Sequence, residues 1–298
     1  MLQGKVGIIT GAGGGIGRAM AEELAALGAA IVVNDIGAAL DGGTTATRPA
    51  DEVVEAIREA GGRAIADHGS VTDYSACEAM VQRALETFGQ LDFVVHNAGI
   101  LRDRMFHKLA VEDFDAVQAV HVGGGFRICR AAAPHFRQQG SGAFVMMTST
   151  SGLIGNVGQS AYATAKLGLV ALTRSIALDM RRFGVRANAI APFAWTRMTA
   201  SIPGAEEDPR LANLRRCKPA QIAPVVAWLA SDEASQVNGQ IFIVRGGELG
   251  LFDPPKPGRA AIHPGGWSSD NIGTAMAALK PSMTVLQTTG EIYSHDVP

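Results

Sequence analysis

Lys5-Val6-Gly7-Ile8-Ile9-Thr10-Gly11-Ala12-Gly13-Gly14-Gly15-Ile16-Gly17 decides the fold. A short apolar run ends in a cluster of glycines, and a segment of helical periodicity follows it at once. Glycines there let the backbone turn tightly and come close to a pyrophosphate. The helix that starts beyond them offers free N–H groups and the positive end of its dipole to the same anion. Gly11, Gly15, Ile16 and Gly17 are the candidate contacts. The spacing is Gly-x-x-x-Gly-x-Gly rather than Gly-x-Gly-x-x-Gly, and a glycine cluster alone is also consistent with a plain turn. Its place between a strand and a helix is what favours a nucleotide site.

Outward from that unit the pattern repeats. Residues 5–10, 30–35, 63–67, 91–96, 142–148, 185–191 and 240–244 read as strands, mostly as continuous apolar runs of the kind covered on both faces. Segments 16–27, 49–60, 74–88, 111–138, 161–183 and 220–229 carry helical spacing. Seven strands separated by helices predict an α/β fold, a Rossmann-type doubly wound parallel sheet with helices on both faces. The pattern stops near Phe252. The domain reading is therefore a nucleotide-binding domain over 1–252 and a C-terminal extension over 253–298, entered through Asp253-Pro254-Pro255-Lys256-Pro257-Gly258. The extension holds Ile262, Trp267, Ile272, Met276, Leu279, Val285, Leu286 and Tyr293, too many apolar groups for a free tail, and a helix is expected near 270–279.

Composition narrows the function. Twenty-six Lys+Arg against 28 Asp+Glu leave a net charge of −2, without the basic excess that nucleic-acid binding requires. No run of 18 apolar residues exists, so no membrane span is expected. Cys77, Cys129 and Cys217 are odd in number and far apart, and the histidines show no ligand spacing. We expect reduced thiols, no metal, no secretory signal and a cytoplasmic location.

Asp35 closes the second strand about 20 residues past the glycines, where a carboxylate accepts hydrogen bonds from adenosine ribose hydroxyls and repels a 2′-phosphate. NAD is favoured over NADP, against the plainer reading of Asp35 as a loop cap. His96-Asn97-Ala98-Gly99 ends the fourth strand with small residues that leave room for a ribose and base, and the Asn97 amide can hold a neighbouring strand. Tyr162-Ala163-Thr164-Ala165-Lys166 sets a phenol and an ammonium one helical turn apart. A lysine charge there should lower the phenol's pKa and suit it to proton transfer. Ser149, at the end of the fifth strand, can hydrogen-bond the same substrate oxygen.

The set Thr10–Gly17, Asp35, Asn97-Ala98-Gly99, Ser149, Tyr162 and Lys166 resembles the short-chain dehydrogenase/reductase family over residues 4–252. The resemblance implies hydride transfer between a nicotinamide cofactor and an alcohol/carbonyl pair. Tyr162 would be the acid/base, Ser149 would orient the carbonyl, and Lys166 would also hold the nicotinamide ribose. Residues 33–37, 97–106, 155–162 and 188–199 are further similar to the dehydrogenase units of peroxisomal multifunctional enzymes of type 2, and the insertion at 38–48 fits them. That subgroup acts on (3R)-hydroxyacyl-CoA with NAD, and on hydroxysteroids. An NADPH-dependent 3-oxoacyl carrier-protein reductase and a non-catalytic NAD-binding scaffold are the alternatives.

Three departures from the family pattern stand out. His121 occupies the place of the usual catalytic Asn, where an imidazole could hold a water beside Lys166 or simply shape the helix. Pro192-Phe193 replaces the usual Pro-Gly, with Thr196 set to reach the cofactor's carboxamide. The usual adenine-side Asp falls on Gly69, which leaves Ser70 and Val71 to line that pocket. Arg102-Asp103-Arg104 reads as a solvated loop, with an acyl-CoA phosphate site as the sharper alternative. Phe193, Trp195, Met198 and Ile202 suggest either a lid over a hydrophobic substrate or ordinary packing. The helix at 161–183 is apolar around much of its circumference, so a second buried face and a homotetramer or homodimer are expected.

Overall fold

The computed structural model describes residues 1–37, 48–200, 212–253 and 255–294. Ile202 and nearly all of the 38–48 insertion lie outside them. In chain order the main elements are β1 (Val6–Thr10), α1 (Gly15–Ala26), β2 (Ala30–Asn34), α2 (Pro49–Glu59), β3 (Arg63–Asp67), α3 (Tyr74–Phe88), β4 (Phe93–His96), α4 (Val111–Gln118), α5 (Gly124–Gln139), β5 (Gly142–Met147), α6 (Thr150–Leu153), α7 (Ser160–Met180), β6 (Val185–Phe193), α8 (Arg197–Ala200), α9 (Ala212–Arg216), α10 (Ala223–Ala230), β7 (Ile241–Arg245), β8 (Glu248–Leu251), α11 (Ile272–Leu279) and α12 (Thr289–Ile292).

The sheet order is β3-β2-β1-β4-β5-β6-β7-β8. β1 to β7 are parallel, as the alternation of strands and helices predicts. Neighbouring side chains point to opposite faces. Ile9, Val33, Val95 and Val145 pack with α1, α2 and α10, whereas Ile8, Val32, Val94 and Phe144 pack with α3, α5 and α7. Each strand is buried on both sides, which accounts for its unbroken apolar run. The chain reverses its winding between β1 and β4, where a doubly wound sheet opens a crevice at the carboxyl ends of its strands.

Two elements differ from expectation. β8 adds an antiparallel edge strand to the seven, joined to β7 through Gly246-Gly247 with Gly246 at φ 57°, a two-residue hairpin that glycine permits. The helix expected over 111–138 is interrupted by a π turn, Ala119–Gly123, between α4 and α5. In the extension the helix is α11, but Ala275 rather than Ile272 or Met276 is its buried residue.

Candidate active site

The cofactor end is built from β1, α1 and the ends of β2 and β4. α1 begins after Gly14 with no side-chain cap, so its first N–H groups stay available to an anion. A β-carbon on Gly17 would collide with the Gly11 carbonyl, and one on Gly11 would lie 2.8 Å from the Ala98 Cα. Side chains at either position would force the loop out of its cradle. Ile16 is packed against the core beside it. Asn97 donates from its amide to the Thr10 and Gly11 carbonyls at 3.2 and 2.9 Å, tying β4 to the glycine loop.

Asp35 reaches back to the same loop. It accepts from Gly13 N–H at 2.9 Å and from Gly37 N–H at 2.8 Å, and its backbone carbonyl lies 3.3 Å from His68 Nδ1. Ser70 shares a hydrogen bond of 2.8 Å with Thr72. Val71 is buried against Gly124 at the start of α5. Gly99 follows Ala98 along the wall of the His121 imidazole. Pro192 lies within β6, opposite Val244. Thr196 lies across from the glycine loop, 3.7 Å from where a β-carbon on Gly15 would sit.

The chemical end lies at the carboxyl end of β5 and the first turn of α7. Ser149 caps α6, accepting from Ser151 N–H at 3.1 Å. Tyr162 is half-buried in the first turn of α7. Lys166 is almost fully buried and donates to the Met147 carbonyl at 2.6 Å, with Nζ 5.3 Å from the centre of the Tyr162 ring. Thr148 anchors the backbone of that turn by donating to the Lys166 carbonyl at 2.6 Å.

The expected lowering of the phenol's pKa is not found. Burial raises Tyr162 to about 12, although the Ser149 contact pulls it down. Burial also lowers Lys166 to about 7. Desolvation dominates at both groups, and the ammonium is held to the Met147 carbonyl.

His121 sits in the π turn. Its Nε2 is 3.0 Å from the Ile100 carbonyl oxygen and 3.1 Å from the Ile100 nitrogen, and its ring meets Tyr162 edge-on at 5.4 Å. Burial holds its pKa well below the usual value. Nδ1 is buried with no hydrogen-bond partner among the described residues.

His96, which the sequence reading treated only as part of a strand end, bonds to this turn. Thr10 Oγ1 accepts from the N–H groups of Asn97 and Ala98, both at 3.1 Å. The Thr10 proton is therefore directed to His96 Nδ1 at 3.1 Å, which leaves His96 Nε2–H to donate to the His121 carbonyl at 2.9 Å. Burial and the Lys166 charge hold His96 neutral, with its pKa lowered to about 4.

The 102–104 segment is more than a solvated loop. Arg102 pairs with Asp113 at 3.2 Å, and Asp103 accepts from Gln159 Nε2 at 2.7 Å. Gln159, Ser151 and Asn156 then lead to Ser149. Nothing in the spacing of these polar side chains marks them as neighbours of Asp103 in the sequence. The extension also reaches this end. Thr289 N–H donates to the Gly155 carbonyl at 3.0 Å, and Tyr293 packs on Phe193 at 5.2 Å. Buried Arg245 donates to the Tyr293 carbonyl at 3.3 Å and lies over both rings. Among the described residues no group of His, Cys, Asp and Glu could hold a metal ion.

A parallel sheet with a glycine loop after its first strand and a Ser–Tyr–Lys set beyond its fifth defines a class of oxidoreductases. The family profile described as enoyl-(acyl carrier protein) reductase matches residues 11–248. A putative short-chain type dehydrogenase/reductase of Mycobacterium tuberculosis is 47% identical over 248 residues, 83% of this chain and 84% of that protein. The chain belongs to the short-chain dehydrogenase/reductase family. It is also similar to a hydroxyacyl-CoA dehydrogenase of the same organism, 42% identical over 85% of this chain and 81% of that one. The peroxisomal multifunctional enzyme type 2 of Mus musculus is 42% identical over 83% of this chain, which spans 32% of that longer protein. Among solved structures, a short chain dehydrogenase from Mycobacterium avium superposes with a TM-score of 0.83 at 40% identity, covering 96% of this chain and 98% of that one.

Proposed function

We propose that this chain is an NAD-dependent dehydrogenase that interconverts a secondary alcohol and its ketone, with a (3R)-hydroxyacyl-CoA or a hydroxysteroid as substrate. The observation that carries the reading is the convergence of Ser149, Tyr162 and Lys166 beside an uncapped helix start and the Asp35 carboxylate. A bound nicotinamide cofactor would supply the hydride chemistry. The residues present fit such a group. The start of α1 suits a pyrophosphate, Asp35 suits an unphosphorylated ribose, Ser70 and Val71 flank the adenine side, and Pro192 and Thr196 close the nicotinamide side.

Tyr162 exchanges the proton with the substrate oxygen, and Ser149 holds that oxygen in place. Lys166, beneath the ring, stabilises the phenolate once the proton has gone. The His121 carbonyl is already taken by His96 and its Nε2 lies against Ile100. Nδ1 is the ring nitrogen left without a partner among the described residues. Likeness to hydroxyacyl-CoA dehydrogenases supports the substrate class, and the apolar Phe193–Tyr293 wall supports a bulky acyl or steroid group.

The unit over 1–252 carries the chemistry, with Thr289 and Tyr293 of the extension as part of its wall. No helix among the described residues is long and apolar enough to cross a membrane, and we place the enzyme in the cytoplasm. Leu169 of α7 is buried in the monomer, but Leu167, Leu178 and Phe126 are exposed, which supports a homotetramer or homodimer packed through α5 and α7.

The test is turnover of a hydroxyacyl-CoA and a hydroxysteroid with NAD and with NADP, for wild type and Tyr162→Phe. We expect turnover with NAD and a loss of about 10²–10⁴-fold in the variant with NAD binding retained. Reduction of a 3-oxoacyl carrier protein with NADPH alone would favour the reductase reading. Wild-type rates in Tyr162→Phe would remove Tyr162 from its role.

A further inference from the structure

The polar chain between Asp103 and Ser149 has a direction. Asp103 Oδ2 accepts from Gln159 Nε2 at 2.7 Å. The opposite amide orientation would set the Gln159 carbonyl against the carboxylate, so the Gln159 oxygen must point the other way. There it accepts from Ser151 Oγ–H at 2.9 Å and from Asn156 Nδ2 at 3.1 Å. With its proton committed to Gln159, Ser151 Oγ presents lone pairs, one to Asn156 Nδ2 at 2.9 Å and one to the Ser149 hydroxyl at 3.2 Å. Ser149 already accepts the Ser151 N–H, so one lone pair is left for a hydroxyl, that of the Tyr162 phenol or of an alcohol substrate.

The chain also links the two loops that carry it. Arg104 N–H donates to the Gly158 carbonyl at 2.9 Å, so Asp103 and Gln159 approach each other on segments already joined. Gln159 is the residue that caps α7, three positions before Tyr162. Stability alone is a poor account of the arrangement. Asp103 Oδ1 is buried without a hydrogen-bond partner among the described residues, which disfavours a carboxylate there.

We propose that Asp103 is a positioning residue for the reaction, setting through Gln159 and Ser151 the direction in which the Ser149 hydroxyl points. This rests on the assignment of Ser149 and Tyr162 to catalysis. Ser149 has one proton to give. The carboxylate holds it toward Ser151 in the resting site, across the longest link of the chain, from which an incoming ketone oxygen can draw it. With a non-directing group at position 103, Gln159 is free to turn, Ser151 can become the donor, and the Ser149 hydroxyl loses its fixed orientation.

The experiment is a swap within the chain, read in kcat, substrate KM and NAD affinity, with Tyr162→Phe in parallel. Asp103→Asn should lower kcat about tenfold, the scale of one charge-assisted hydrogen bond, and leave NAD affinity within about twofold. Gln159→Glu alone sets two carboxylates face to face and should also lose activity. The double variant Asp103→Asn/Gln159→Glu restores an acceptor toward Ser151 and should return kcat to within about threefold of wild type. In a Ser151→Ala background, Asp103→Asn should cause no further loss, because the link it acts through is gone.

Wild-type kcat in Asp103→Asn, a double variant no better than Asp103→Asn, or the same tenfold loss in the Ser151→Ala background would each overturn the proposal. If Asp103→Asn fails to fold, Gln159→Met breaks the chain at its next link, and undiminished kcat there overturns it equally. A fully active Tyr162→Phe would instead refute the catalytic assignment itself.

Discussion

Lys166→Met should make the cofactor-free protein more stable near neutral pH and less stable in mild alkali. Burial lowers the Lys166 ammonium from its ordinary 10.5 to about 7. Between these two values the unfolded chain binds the proton and the folded chain does not. The Lys166 contribution to wild-type stability therefore climbs with pH across that window, and its penalty is largest below it. On this scale the buried lysine costs about 4 kcal/mol at pH 7.5 and about 1 kcal/mol at pH 9.5. Methionine has similar length and no charge to desolvate, but it abandons the bond to the Met147 carbonyl, a loss of about 1–3 kcal/mol. The variant should gain about 1–3 kcal/mol at pH 7.5 and be equal or weaker at pH 9.5. Both pH values lie above the range of the buried histidines and below that of Tyr162, so neither confuses the comparison. Urea unfolding of both proteins at the two pH values, with turnover measured alongside, is the assay. A stability difference that does not change with pH, or a variant already weaker at pH 7.5, would refute the reasoning. So would retained turnover, since a lysine that strains the fold without serving the reaction has no physical reason to be there.

Asp35→Ala should weaken NAD by about tenfold or more, the scale of hydrogen bonds to a charged acceptor, and narrow the gap to NADP; a wild type that prefers NADP would contradict it. Deleting residues 255–298 removes the contact of Tyr293 with Phe193 and should raise substrate KM or dissociate the oligomer while NAD binding persists. Unchanged kinetics and assembly would make the extension an ornament. Light scattering should find a homodimer or homotetramer that weakens on Leu178→Asp, and a monomer across the micromolar range would exclude packing through the exposed face of α7.

The parallel sheet was legible because its strands are buried on both faces. Ile8-Ile9, Val32-Val33 and Val94-Val95 each send one side chain to either layer, and the resulting apolar runs stand out from the helical periodicity between them. The edge strand β8 was not legible, since Glu248-Leu249-Gly250-Leu251 is half exposed and glycine-interrupted. The π turn escaped for another reason. One extra residue in a helix shifts the apolar stripe without erasing it, so 111–138 still reads as continuous. At the site, Ser149, Tyr162 and Lys166 were recognisable from type and spacing. The path from Asp103 to Gln159 was not, because 56 positions separate the two and only the fold brings them together.

His96, His121 and the run Gly123-Gly124-Gly125 become one device in the structure. At the end of the π turn the His121 carbonyl accepts from the Gly124 N–H, and its second lone pair is open to another donor. His96 takes it, donating to the His121 carbonyl while accepting from Thr10. That places an imidazole between β4 and the start of α5, where Val71 and Leu169 also crowd the helix and glycines ease the approach. A β-carbon on Gly124 would lie 3.2 Å from His96 Cε1, and one on Gly125 would lie 3.1 Å from His96 Cδ2. The His121 ring itself reaches Ile100 and stands edge-on to Tyr162. Thr10 at one end of this chain also holds Asn97 and Ala98 beside the glycine loop. The same buried hydrogen bonds therefore set the wall of the cofactor cradle and the floor beneath the phenol, and a substitution at His96 would disturb both at once.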